Sequence, residues 1–66
     1  MSSEGDVELV IEELRSVVER LDDLALGALR AAVQSGANKR PDLERRLTRA
    51  RHGIERVIGI LEGRPG

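Results

Sequence analysis

One stretch, Val7 to Val33, limits what this chain can become. Written as heptads, its a positions are Val7, Leu14, Leu21 and Ala28, and its d positions are Val10, Val17, Leu24 and Ala31. The e positions add Ile11, Val18, Ala25 and Ala32, so all twelve slots are apolar in a chain that is only 39% hydrophobic. That period writes one unbroken apolar face along an α-helix about 40 Å long. A lone helix cannot hide such a face from water, so the rest of the chain is read for what covers it.

The cover begins with a second helix. Leu43, Leu47, Ala50, Ile54, Val57, Ile58 and Leu61 are spaced four, three, four, three, one and three residues apart, which is a single stripe. At the start of the chain, Ser3 and Asp6 have the spacing of a capping box with Asp in place of Glu, and Asp6 can itself serve as N-cap. Glu4, Asp6 and Glu8 suit the positive end of the helix dipole. Helix 1 is expected over about 6–35, with Gly27 tolerated inside it and Gly36 ending it as a left-handed residue. The connection is 36–40, with Asn38 as a plausible N-cap. Pro41 then falls in a first turn where its missing N–H is harmless, with Asp42 and Glu44 as early acids. Helix 2 is expected over about 41–62, stopped by Gly63 and Pro65.

So short a connection makes an antiparallel hairpin. Near the loop the seam narrows to Ala25, Ala28, Ala31 and Ala32, which let a neighbouring helix come close, while Leu26, Leu29 and Val33 widen the apolar surface to one side. At the other end helix 2, about 33 Å long, is expected to run out near Leu14 and leave Val7, Val10 and Ile11 without cover. The expected fold class is therefore all-α: a single domain, residues 1–66, forming an antiparallel two-helix hairpin that self-associates as a four-helix bundle with coiled-coil-like seams, most simply a homodimer. Val7, Val10, Ile11, Leu14, Leu26, Leu29 and Val33 are the expected oligomer interface. The size of the chain points the same way, because 66 residues are near the limit at which one core suffices.

Composition narrows the chemistry. Without Cys there is no disulfide and no thiolate metal site, which fits a reducing cytoplasm. Without Phe, Trp or Tyr there is no aromatic platform for bases or sugars. The longest apolar runs, such as Val57 to Leu61, are too short for a membrane span or a secretory signal. The net charge of −1 hides an asymmetry: residues 1–37 carry eight acids against three arginines, leaving −5, and residues 38–66 carry eight basic residues against four acids, leaving +4. Opposite halves of this kind attract, within one chain or between chains.

No catalytic, metal or cofactor site is signalled. His52 is the only histidine, and a metal needs three or four ligands. Glu8 with Glu12, and Glu19 with Asp23, are carboxylate pairs four apart that read as solvated helix surface. Ser2, Ser3, Ser16, Ser35 and Thr48 lack a glycine-rich elbow or a neighbouring base, and no strand precedes any glycine as a phosphate loop requires.

One surface pattern stands above the background. Arg45, Arg49, His52 and Arg56 recur at helical spacing, about 160° from the Leu47/Ile54/Leu61 line, so they point to solvent and could track phosphates. Arg46 and Arg51 lie nearer the edges of the seam, within reach of helix 1 acids.

Two short patterns resemble known families. Arg46-Leu47-Thr48-Arg49 with Gly53 to Ile58, and Leu21 to Val33, resemble the first and second helices of the all-helical copper-sensing repressors, here in reversed order and without the Cys and second His of such a sensor. Leu29 to Gly36 is similar to a stretch of ribbon-helix-helix antitoxins, whose pattern then breaks off. Each covers a minority of the chain, and neither assigns a family.

The function expected is therefore non-enzymatic: a protein–protein interaction module, as a small oligomeric scaffold, adaptor or accessory subunit. Its partner is itself, or another helical protein, with no membrane. The alternative is a small nucleic-acid-associated regulator of repressor or antitoxin type that uses the basic stripe.

Overall fold

The computed structural model describes residues 3–65. Two helices, α1 (Ser3–Gln34) and α2 (Asp42–Leu61), pack against each other. At 1.5 Å per residue they are about 48 and 30 Å long. α1 starts earlier than the capping signals suggest: Ser3 opens it, and Asp6 lies inside the first turn rather than at the N-cap. Met1 and Ser2 lie outside the described residues.

Both helices end in the same way. Gly36 has φ of 79°, and the N–H groups of Gly36 and Ala37 donate to the carbonyls of Val33 (3.1 Å) and Ala32 (2.9 Å). Gly63 has φ of 80°, with Gly63 and Arg64 donating to Ile60 and Gly59, each at 3.0 Å. These paired bonds form the Schellman motif, which satisfies the last carbonyls of a helix and requires a left-handed residue that glycine supplies without strain. Gly36 thus ends α1 as expected, and the chain turns back at once.

The start of α2 departs from expectation. Pro41, not Asn38, is the N-cap, with an extended backbone and no side-chain cap bond. Proline has neither a side-chain acceptor for the first N–H groups nor an N–H of its own for a capping glutamate. Glu44 stands three residues after the cap, where a capping-box glutamate would reach back to that missing N–H. Its carboxylate instead receives the Arg40 guanidinium through two nitrogens, the second at 2.9 Å, and the Thr48 hydroxyl at 3.0 Å. Only 5% of Glu44 is exposed. Glu44, expected as an early acid of the helix, is therefore also buried.

The seam itself uses half of the apolar positions. On α1 the buried and half-buried residues are Val7, Ile11, Leu14, Val18, Leu21, Ala25, Ala28, Leu29 and Ala32, which are the a and e positions with Leu29 added. On α2 they include Leu47, Ile54 and Ile58. Ile11 at 9% and Ile58 at 6% are the only buried apolar side chains among the described residues, and no side chain is fully buried. Ile11 corrects the expectation that it overhangs uncovered. The last residues of α2 reach farther than Leu14, and Leu61 and Glu62 line a groove with Val7 and Ile11. The end is tied down by Glu62, which pairs with Arg15 on one carboxylate oxygen and with Arg64 on the other at 2.7 Å. Arg51 reaches Asp22 of α1 at 3.2 Å, as its place near the seam suggested, whereas Arg46 pairs within its own helix with Asp42 at 3.1 Å.

Two outcomes follow for stability. Ile58→Asp places an unpaired carboxylate in the tightest part of the seam, which costs several kcal/mol, and circular dichroism should show loss of helix, whereas Arg45→Gln should leave the spectrum unchanged. Retained helix in the Ile58 variant would show that the seam is misplaced. The second outcome concerns acid. The Arg40 guanidinium, helped by Thr48, holds the Glu44 carboxyl below its ordinary value even though burial pushes it up. A lowered folded pKa means that the stabilisation is complete above the unfolded value of about 4.3 and is lost as pH falls through the folded value. Melting temperature should therefore drop below about pH 4.5 more steeply in the wild type than in Glu44→Gln, and equal slopes would contradict the role given to Glu44.

Candidate interaction surface

The positions that the seam leaves out form one surface. Val10, Val17, Leu24 and Ala31, the d positions of α1, are all exposed, with Leu24 at 57%. On α2 Leu43, Ala50, Val57 and Leu61 are exposed as well. At 100° per residue the α1 set lies about 80° to one side of the a/e direction, and the α2 set lies about 80–120° to one side of its own seam. Because the helices are antiparallel, these two sides coincide. The result is one broad apolar face on one side of the hairpin.

The opposite side carries the charge pairs that cross the seam. Arg15 and Asp22 lie about 80° the other way on α1, and they carry the ion pairs to Glu62 and Arg51. One face of the hairpin is thus joined by charge pairs across the seam, and the other is bare hydrocarbon. Contiguous apolar surfaces larger than a few hundred Å² are rare on monomers and mark interaction sites.

Dimensions make the same point. The molecule measures 52 by 23 by 11 Å between Cα extremes, a single layer of two helices. Its radius of gyration of 15.4 Å compares with about 11 Å for a compact chain of this length. Its accessible surface of 5371 Å² exceeds the roughly 4,100 Å² of a compact monomer of 7.2 kDa by about 1,250 Å².

This arrangement redraws the interface residues expected from sequence. Val10 lies on the apolar face. Val7 and Leu14 are half-buried in the seam, and Ile11 is buried there. Leu26, Leu29 and Val33 lie about 80–120° round to the other side of α1, Leu29 half-buried and Val33 exposed at 74%. These seven residues do not form one surface. A stripe three heptad positions wide is broader than one neighbouring helix covers, and the uncovered part is the d line rather than the ends of α1. The α2 stripe divides in the same way, so the signal for the surface was present in the sequence as an excess of apolar width. Sequence reasoning had read that width as belonging to Leu26 and Val33.

Two glycines border the face. Gly27 of α1 and Gly53 of α2 are mid-helix, and a Cβ built on either meets nothing within 4 Å. Each weakens its helix by about 1 kcal/mol relative to alanine, with no packing inside this chain that requires it.

Arg45, Arg49, His52 and Arg56 are all exposed, as their spacing implied, and lie on α2 away from both the seam and the centre of the apolar face. Arg45 approaches Asp42 at 3.7 Å and His52 meets Arg51 at 3.2 Å, whereas Arg49 and Arg56 make no ion pair among the described residues. The residues described include no group of three or more His, Asp or Glu side chains placed to hold a metal ion, and no helix long and apolar enough to cross a membrane. No protein-family model, curated protein or solved structure matches this chain.

Proposed function

We propose that this chain is a non-enzymatic protein–protein interaction module that works as a homodimer, two hairpins closing apolar face to apolar face into a four-helix bundle. The observation that carries the reading is the continuous exposed face made by Val10, Val17, Leu24, Leu43, Val57 and Leu61 on a molecule one helix layer thick. Domains are built from at least two layers around a core, and a second copy supplies the missing layer with the same apolar width. The excess surface of about 1,250 Å² is also more than the roughly 800 Å² each partner gives to a standard interface. A bundle of this kind serves as a scaffold, adaptor or accessory subunit, since its chemistry lies in shape and charge rather than in any reacting group.

A second reading has one specific observation behind it: Arg49 and Arg56 are exposed and make no ion pair among the described residues. A basic stripe on the outside of α2 suits the phosphates of a nucleic acid. It has no aromatic or base-reading group beside it, so any binding would be electrostatic and non-specific.

Dimerisation makes stability depend on concentration, because association stabilises the folded state by mass action. Melting temperature should rise as the protein is concentrated, and the double variant Leu24→Asp/Val57→Asp should melt at one lower temperature at every concentration. A wild-type melting point indifferent to dilution would remove the proposal. For the second reading, binding to duplex DNA at low salt should show a salt slope that flattens by about one unit for each of Arg49→Gln and Arg56→Gln. Absence of binding at low ionic strength would end it.

A further inference from the structure

From the pattern of side-chain size and charge on the exposed face, we infer that the two hairpins associate about a twofold axis parallel to the helices, so that α1 of each chain lies on α2 of its partner. This rests on the homodimer proposed above and specifies its arrangement. The Asp22–Arg51 ion pair sets these residues at one level of the hairpin. Counting down α1 and up α2 in sevens from the loop then gives three shared levels: Ala31 with Leu43, Leu24 with Ala50, and Val17 with Val57. A large residue is matched with a small one twice, and two of middle size meet at the third.

A twofold axis along the helices preserves height. It brings the partner's Leu24 over Ala50, the partner's Ala31 over Leu43 and the partner's Val17 over Val57, and every level is filled by complementary volumes. The other twofold stacking, with the axis across the helices, lays α1 on α1. About the middle level it sets Leu24 against the partner's Leu24 and Ala50 against the partner's Ala50, which crowds one pair and leaves a gap at the other.

Charge favours the same choice. α1 carries eight acids against three arginines, and α2 carries five arginines against three acids, so the helices have net charges of −5 and +2. Stacking α1 on α1 would oppose the two acidic helices, whereas the parallel axis sets acidic on basic. The flanking positions match individually. Asp23 and Arg49 lie on the outer edges of α1 and α2 at one level, and Arg30 and Asp42 do so one heptad nearer the loop, with the signs exchanged. Among the described residues Asp23, Arg30 and Arg49 have no ion pair inside their own chain. The bordering glycines fit as well: Gly27 falls level with the partner's Arg46, and Gly53 with the partner's Arg20, leaving room for each arginine stem where the helices meet.

The absence of native cysteine makes a crosslinking test clean. Leu24→Cys and Ala50→Cys are both at exposed positions, and each is made in a separate chain. When the two variants are mixed, unfolded, refolded together and oxidised, a disulfide-linked pair containing one chain of each kind should form. Neither variant alone should link readily, because in this arrangement like helices are diagonal, their axes roughly 11–14 Å apart for neighbours at 8–10 Å, which leaves even inward-facing Cα atoms about 7–9 Å apart, at or beyond the separation a disulfide spans. Self-linking of Leu24→Cys, or a two-chain mass for the wild type by light scattering with no link in the mixture, would overturn the arrangement while leaving the dimer standing. A one-chain mass for the wild type would overturn the dimer itself. Independently, Asp23→Arg and Arg49→Asp should each weaken dimerisation roughly fivefold, and the two together in one chain should restore it. Additive weakening in the double variant would contradict the pairing.

Discussion

A layer of two helices has two broad sides, and packing the helices against each other covers neither. Every other feature of this hairpin depends on that constraint. The seam between α1 and α2 takes up the a and e positions and leaves Ile11 and Ile58 as the only buried apolar side chains among the described residues. Burial of a large aliphatic side chain contributes about 1.5–3 kcal/mol, so these two supply roughly 3–6 kcal/mol before the entropy of ordering the chain is offset. What remains apolar, the d line of α1 with Leu43 and Val57 of α2, faces solvent in the single chain.

The two sides meet that constraint differently. On one, ion pairs from Arg15 to Glu62 and from Arg51 to Asp22 bridge the helices in contact with water. Exposed pairs of this kind are worth little individually, so they orient the helices more than they hold them. At the loop end Glu44 is held by the Arg40 guanidinium and the Thr48 hydroxyl, and it is far less exposed than the acids of the other pairs. On the other side no ion pair among the described residues crosses the seam, and the d line of α1 runs beside Leu43, Ala50 and Val57.

Much of this was legible in the sequence. The heptads from Val7 to Val33, the stripe from Leu43 to Leu61 and the glycines at 36 and 63 are local signals, and local signals gave the two helices, their C-terminal ends and the antiparallel turn. Asn38 has the residue type of a cap, whereas the helix bonding begins from Pro41, and Glu44 is held by its neighbours at i−4 and i+4, Arg40 and Thr48. The choice of surface turns on a different signal. Periodicity reveals how wide an apolar stripe is but not which edge of it a neighbour takes. The expectation that Ile11 overhangs rests on helix lengths and the expectation that Leu26 and Val33 complete an interface rests on the width of the face near the loop, whereas the seam takes the a and e edge and leaves the d edge exposed. The basic stripe on α2 was visible from spacing alone, because exposure on the far side of an amphipathic helix follows directly from its period.

Small-angle X-ray scattering tests the central claim most directly, since one curve gives both mass and shape and needs no aromatic chromophore. If the second layer is another copy of this chain, the forward scattering will correspond to twice the 7.2 kDa chain, with a cross-section about as thick as it is wide. Forward scattering from one chain, with a radius of gyration near the 15.4 Å of the flat hairpin and no change on concentration, would contradict the account.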